Sequence, residues 1–436
     1  MDAQSFDPKA VDKRPLVECS PRGGAPNFFA KLESGQREVT VAYFGGSITA
    51  QDGYRVYSRN YLQSLVPGTK IKEVNAAIGG TATDLGVFRC WHDVTREHPD
   101  LVFIEFAVND SGLPVIETRK NTEGIIRQIW NADPETDIIL VYTLTAGNMD
   151  VIREGYMQRS ACVMEDLADW YGIPSVHFGA EIARLDKLGL IEMKSELGKK
   201  TKVSADGLGV LIQSPGINED GKICVNDEGK IPFSKDGVHP YVITGHALYM
   251  GSLMRSFPFI SGAGFKGPHV MPEPMLAERI EQVATVSFED PRIRKSGDWC
   301  KVSRDDRTID QFLNRCDDFY RFSPGAEISF RFKGSKASIY DILGQGCGQV
   351  TISVDGGEPV AAKRIDGYCT YYRLALLDLC KDLDPEQVHT VTIRVSEEKF
   401  DKRSILFENN RSFYDENRQM YEDSWDFLAG CVFIAG

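Results

Sequence analysis

Between residues 39 and 260, short apolar runs alternate with stretches whose apolar residues recur every three to four positions. Val39-Thr-Val-Ala-Tyr-Phe44 is β-branched and aromatic and stops at Gly45-Gly46, which predicts a strand ending in a turn. Val56–Leu65 follows with helical periodicity, Lys70–Ala76 predicts a second strand and Thr83–Glu97 a second helix. Asp100–Val108 is almost continuously apolar, the pattern of a strand covered on both faces of a parallel sheet. Thr122–Ala132, Asp137–Leu144, Val151–Tyr171 and Pro174–His177 continue the alternation, and Val242–Arg255 predicts a closing helix. Strands and helices in this order predict a three-layer α/β/α domain built on a parallel sheet.

The alternation breaks at about 190–232, where turn-forming strings such as Ser214-Pro-Gly and Asn218-Glu-Asp-Gly separate two short apolar pieces, 210–212 and 222–225. They predict a β-hairpin insertion that either borders the site or runs as a passive surface excursion, since inserted loops cost little. From residue 257 the texture changes again, with Pro258, Pro268, Pro272 and Pro274 marking a linker. Beyond it, Glu327–Phe332, Ala337–Tyr340, Gln349–Val354, His389–Val395 and Phe427–Ala435 alternate apolar and polar residues, with turns such as Asp355-Gly356-Gly357 between some of them. That is the pattern of an antiparallel β-sandwich. The division expected is therefore 1–260, a linker over 261–281, and a jelly-roll-like sandwich over 282–436 with carbohydrate binding as its candidate role.

The bulk numbers narrow the partners. A length of 436 residues suits two domains. A net charge of −13 without a basic stripe sets the expectation of neither nucleic acid nor an anionic membrane surface as partner. No apolar run reaches the ~20 residues of a membrane span, and Met1–Pro8 lacks the n- and h-regions of a signal peptide. The location expected is cytoplasmic, or periplasmic or secreted if a leader has been removed. The ten cysteines form no C-x-x-C pair and read as reduced thiols. His98, His177, His246, His269 and His389 form no ligand pair, so neither a catalytic metal nor any other cofactor is expected.

Candidate chemistry lies in four strings. Gly45-Gly46-Ser47-Ile48-Thr49 places a serine directly after a buried strand. Standing alone, the string would read better as a Gly-Ser turn capping the next helix, because serine is a good N-cap. Asp236-Gly-Val-His239 supplies what a weak serine nucleophile needs: a base, and a group three residues away to orient that base. Ser47, His239 and Asp236 are the candidate triad. Asn75-Ala-Ala-Ile-Gly79-Gly80-Thr81 and Ala107-Val-Asn109-Asp110 follow the second and third strands.

In this order, on these elements, the four strings resemble the SGNH (GDSL-type) hydrolase superfamily, with its flavodoxin-like fold, over about residues 39–256. The resemblance implies that Ser47 is the nucleophile and that an oxyanion hole forms from the Ser47 and Gly80 backbone N–H groups and the Asn109 amide. It also implies that Asp236 and His239 complete the triad. Two positions depart from the family pattern: Gly46 stands where Asp is commoner, and Ala107-Val108 where Gly-x is usual. The longer strings are similar to those of a bacterial subset associated with carbohydrate de-esterification. The activity this implies is a serine esterase, with O-acetyl groups of a carbohydrate as the substrate class. A lipase or thioesterase acting on other small esters, and an inactive carbohydrate-binding protein, are the competing readings; oligomeric state is open.

Other residues carry weaker signals. Arg55 reads as a contact for a sugar hydroxyl or carboxylate, or as an exposed arginine at a helix start. Asp84 reads as a pocket residue or a helix N-cap, Asp110 as a support for the Asn109 turn, and His92-Asp93 as structural. The aromatic strings Phe319–Phe322 and Tyr368–Arg373 read as core packing, with sugar stacking as the alternative.

Overall fold

Strands covered by helices on both sides carry apolar residues on both faces, and this requirement organises the first half of the chain. The protein is described by a computed structural model over residues 7–196, 225–226, 228–277 and 279–436. It divides into two units, Met1–Arg279 and Ile280–Gly436.

In the first unit the strands are β1 (Cys19–Ser20), β2 (Glu38–Gly45), β3 (Lys70–Asn75), β4 (Leu101–Glu105), β5 (Asp137–Tyr142) and β6 (Ser175–His177). They form one sheet in the order β1-β6-β5-β4-β2-β3. All neighbours are parallel except β1, which pairs antiparallel with β6. The order reverses between β2 and β4, the switch point at which open α/β sheets place their ligands. Helices α1 (Pro26–Glu33), α2 (Ser47–Ala50), α3 (Tyr54–Leu65), α4 (Thr83–Asp93), α5 (Val115–Ala132), α6 (Met149–Arg153), α7 (Arg159–Tyr171), α8 (Gly179–Lys187) and α9 (Ala247–Ser261) connect and cover the sheet. Alternate residues of one strand serve opposite faces. Val39, Val41 and Tyr43 of β2 join a core with Phe28, Tyr57 and Leu253 from α1, α3 and α9. Phe44 points the other way and meets Phe106 edge-on at 5.1 Å.

Several boundaries differ from the sequence expectation. The α5 helix starts at Val115, well before Thr122. Its polar early residues hide their burial: Arg119 is fully buried and donates to Asp166 and to the Pro8 and Ala10 carbonyls. The expected helix Val151–Tyr171 is two helices, α6 and α7, broken at Gly155 with φ +83°. The closing helix begins with a π-helical turn, Val242–His246, and α9 runs through Pro258 to Ser261, where Phe257 and Ile260 are anchored in the core.

The stretch expected as a linker is fastened to the first unit. The Glu123 carboxylate accepts the backbone N–H groups of Met275 and Leu276. Arg127 donates to the Pro272 carbonyl, and His269 stacks on Trp130 at 4.7 Å. Of the inserted segment, pieces 210–212 and 222–224 lie outside the described residues. Its edges form a two-stranded parallel pair, β7 (Ile191–Glu192) with β8 (Ile231–Pro232).

The second unit is a two-sheet antiparallel sandwich, as the alternation predicts. Its strands are β9 (Val283–Ser287), β10 (Arg294–Ser296), β11 (Trp299–Lys301), β12 (Tyr320–Phe322), β13 (Glu327–Lys333), β14 (Lys336–Leu343), β15 (Gln349–Val354), β16 (Val360–Lys363), β17 (Arg373–Cys380), β18 (Val388–Val395) and β19 (Phe427–Ala435). One sheet has the order β10-β13-β18-β15-β16; the other is β11-β12-β19-β14-β17, with β9 also on β19. Phe330, Ile352 and Ile393 from the first meet Phe322, Ile339, Leu377 and Val432 from the second in a shared core. Short helices between 402 and 422 close one end, where the buried Lys402 ammonium donates to three carbonyls and lies 4.0 Å from the Trp425 ring. Phe319, Tyr320 and Phe322 are core residues, but Tyr368 and Tyr371 are more than half exposed, against the core reading of that string. Nine cysteines among the described residues are free, and no helix among them is long and apolar enough to cross a membrane.

Glu123 is buried and also accepts from the Tyr171 hydroxyl, so Glu123→Ala strands three donors. We expect it to cost about 1–3 kcal/mol. Limited proteolysis should then cut near residue 275 faster than in the parent chain, and an unchanged cleavage rate would refute the fastening role.

Candidate functional site

Four segments converge at the carboxyl end of the first unit's sheet. Strand β2 ends at Gly45, and Ser47 is the first residue of the short α2 helix, half-buried, with Gly46 as its N-cap. The next segment is laid alongside by backbone bonds, Ala76 N–H to the Tyr43 carbonyl and Ile78 N–H to the Gly45 carbonyl. A Cβ placed on Gly79 would lie 3.6 Å from Ser47 Cβ, so the Gly79-Gly80 pair passes beside the serine. Gly80 has φ +72°, a conformation that favours glycine, and is exposed. Asn109 begins a 3₁₀ turn just beyond β4. A Cβ on Gly46 would fall 2.1 Å from Asn109 Oδ1, so Gly46 and the Asn109 amide are in direct contact. In this backbone a larger residue at position 46 would push the amide aside.

The fourth segment is a tight turn. Asp236 Oδ1 accepts the backbone N–H groups of Val238 and His239, both at 2.8 Å, while Oδ2 lies 2.7 Å from His239 Nδ1. His239 Nε2 lies 2.8 Å from Ser47 Oγ. Gly237, at φ +84°, lets the chain reverse; its N–H donates to Ser234 Oγ and its carbonyl accepts from Ala146 N–H. Partial burial is the largest single influence on the Asp236 carboxyl and pushes its pKa up. The bonds from the His239 ring and the two backbone N–H groups outweigh it, leaving the pKa lowered to about 2. An ionised carboxylate can only accept, so His239 Nδ1 carries the proton and Nε2 presents its lone pair to the Ser47 hydroxyl. The structure thus brings Ser47, Asp236 and His239 into one hydrogen-bonded chain, with Gly79-Gly80 beside Ser47 and Asn109 against Gly46.

Arg55 and Asp84 take other places. Arg55 is buried, and its guanidinium donates to the Thr49, Ala50 and Gln51 carbonyls, to Asp52 and to Glu73. These acceptors engage the donors that a sugar contact would need, and they pin the chain just after Ser47 rather than leaving an exposed arginine. Asp84 is in the first turn of α4 and accepts from Leu85 N–H; the N-cap position belongs to Ala82. Asp110 reaches across from the third segment and caps that helix, accepting Thr83 N–H at 2.9 Å and the Thr83 hydroxyl at 2.7 Å. His92 contacts Asp93, itself buried and paired with Arg89, in line with a structural part.

Two supporting residues escape a sequence reading. Glu105, fully buried at the end of β4, accepts from Thr49 and Thr143 hydroxyls and from Gly46 N–H; burial raises its pKa and these bonds oppose the rise. Arg89, buried on α4, donates to the Gly45 and Ala76 carbonyls and so ties the first two segments together. Their charges read as surface residues, and only the tertiary partners reveal otherwise. Among the described residues no group of three or more His, Cys, Asp or Glu side chains is arranged to hold a metal.

Fold and site together describe an α/β domain carrying a Ser47–His239–Asp236 hydrogen-bonded chain, followed by a β-sandwich. Residues 43–195 match the GDSL-like lipase/acylhydrolase family, and the first unit resembles the hydrolases of the SGNH (GDSL-type) superfamily. The matched stretch contains Ser47, Gly80 and Asn109 and ends before the Asp236–His239 turn. The whole fold is similar to that of a two-domain esterase active on acetylated mannans, co-crystallised with mannopentaose. The identity is 18%, with 96% of this chain and 97% of that chain covered and a TM-score of 0.69. A second structure of such a two-domain mannan esterase gives 0.70 over the same shares at 18% identity. An acetylxylan esterase from Geobacillus stearothermophilus, 20% identical, covers 52% of this chain and 95% of its own, with a TM-score of 0.34. No curated protein matches in sequence.

Asp110 carries a testable charge. Burial, the largest influence, together with the nearby Asp84 and Glu105 charges, outweighs the Thr83 bonds and raises its pKa to about 7. An unfolded aspartate titrates at about 3.9. Between these values the folded chain binds the extra proton, so this group makes stability fall as pH rises from about 4 to about 7, then level off. Asp110→Asn should flatten that part of a Tm–pH profile; a profile of unchanged slope would contradict the assignment.

Proposed function

We propose that this protein is a serine esterase that removes O-acetyl groups from a carbohydrate through an acyl-Ser47 intermediate. The observation that carries the proposal is the chain from Asp236 through His239 to Ser47, at 2.7 and 2.8 Å. Ser47 Oγ attacks the ester carbonyl carbon while its proton passes to His239 Nε2. The tetrahedral oxyanion is met by the Ser47 and Gly80 backbone N–H groups and the Asn109 amide, each such donor contributing roughly 10²–10³ in rate. The carbon–oxygen bond to the sugar then breaks, and the departing alcohol takes the proton from Nε2. Water, deprotonated by the same nitrogen, attacks the acyl carbonyl, releases acetate and restores Ser47. Asp236 stays ionised throughout and steadies the imidazolium.

The carbohydrate part rests on two lines of support. The two-domain esterases whose fold extends over nearly all of this chain are described as active on acetylated mannans. The longer sequence strings around Ser47, Gly80 and Asn109 also resemble carbohydrate esterases.

Ser47→Ala should abolish turnover of p-nitrophenyl acetate and labelling by a fluorophosphonate, while Tm stays within about 1 °C. Retained turnover would overturn the nucleophile assignment, and acetate release from neither acetylated mannan nor acetylated xylan would overturn the substrate class. Asp236→Asn is a sharper test. Its remaining oxygen can serve the backbone N–H groups, but its amide nitrogen then donates to Nδ1, placing the ring proton on Nε2, where it cannot accept from Ser47. We expect kcat to fall about 10⁴-fold with the fold intact; a loss below about tenfold would show that Asp236 does not set the tautomer.

A further inference from the structure

The five-stranded sheet of the sandwich turns a different chemistry outward. Along β13 the residues Ile328, Phe330 and Phe332 enter the core, so Ser329, Arg331 and Lys333 face out. Registry sets Arg294 of β10 opposite Ser329, and Thr392 and Thr390 of β18 opposite Ser329 and Arg331. Residues of β10, β13 and β18, with Arg292 before them, line an open groove that contains no Asp or Glu. Arg292 is bound by Asp290. Arg294, Arg331 and Lys333 are exposed, and among the described residues none of the three has an ion-pair partner.

Three unpaired cations in one acid-free groove, on a chain of net charge −13, form a local anion site that the rest of the surface opposes. Arg331 and Lys333 are two positions apart on one strand, hence about 7 Å apart along it. A nucleic acid strand presents a charge every ~3.4 Å and calls for a denser basic surface. The hydroxyls of Ser329 and Thr390 in the same groove suit sugar hydroxyls, and Phe330 and Phe332 are buried, so no ring is offered for base stacking. We propose that this groove binds a carboxylate-bearing polysaccharide, a uronate chain, with Arg294, Arg331 and Lys333 pairing its carboxylates. The choice of a glycan rests on the carbohydrate reading above; the anion site itself does not depend on Ser47.

Affinity electrophoresis of the full chain through polygalacturonate, neutral galactomannan and oligothymidylate tests it. Retardation by polygalacturonate at about 20 mM salt, lost by about 0.5 M, is the expected result. The triple change Arg294→Ala, Arg331→Ala and Lys333→Ala should weaken it by about tenfold or more while p-nitrophenyl acetate turnover and Tm are unchanged. If the triple variant fails to fold, Lys333→Gln alone should weaken retardation by about threefold. No retardation of the parent chain, equal retardation of the variants, or stronger retardation by galactomannan or oligothymidylate overturns the proposal. Parallel turnover measurements keep this outcome separate from failure of the esterase reading, and Ser47→Ala should bind polygalacturonate as the parent does.

Discussion

The arrangement at the site depends on one carboxylate serving two masters. Asp236 holds its own turn closed through Oδ1 and the His239 ring through Oδ2, so turn geometry and ring orientation cannot vary separately. The turn itself is pinched at its base, where Ser234 bridges Pro240 and Tyr241 N–H donates to the Phe233 carbonyl. Gly237 supplies the left-handed step and is held at both its N–H and its carbonyl. An imidazole on such a turn loses little further freedom when it meets Ser47, and a group positioned before reaction need not be ordered during it.

The sheet delivers the other partners by the same rule that places ligands at the switch point of open α/β sheets. The segments bearing Ser47 and Asn109 leave adjacent strands β2 and β4, on the two sides of the reversal in strand order. Below them lies a polar layer of buried charge. Glu105 draws in Thr49, Thr143 and Gly46, while Arg89 draws together the Gly45 and Ala76 carbonyls. Isolated charges could not be buried so deeply, and each here has several partners that offset its desolvation.

What the sequence reveals follows from how locally each feature is encoded. The strand Asp100–Val108 is legible because burial on two faces writes itself into a continuous apolar run; only its end is misjudged, since Phe106 and Ala107 are buried beyond the last ladder bond at Glu105. The Asp236–His239 turn is legible for a similar reason, its partners being two and three residues apart. Arg55, Arg89 and Arg119 are illegible: charge predicts exposure, and their partners are carbonyls and carboxylates that the fold gathers. The early turns of α5 were hidden by the same polar disguise. Strands β10, β11 and β12 are three residues each and carry too few positions for an alternation to register.

The two departures from the family pattern show how local substitutions are absorbed. Gly46 is in contact with the Asn109 amide, and Glu105 takes its N–H from beneath, so the turn before Ser47 is fixed without a side chain of its own. Ala107, where glycine is usual, is fully buried and its carbonyl accepts the Ser160 hydroxyl, which anchors the approach to Asn109 from α7. One departure removes a side chain where the amide needs room; the other adds a methyl where the core can take it. The positions of Ser47 and Asn109 are thereby set by contacts that a motif comparison does not contain, and the same four strings on a differently packed scaffold would not guarantee this geometry.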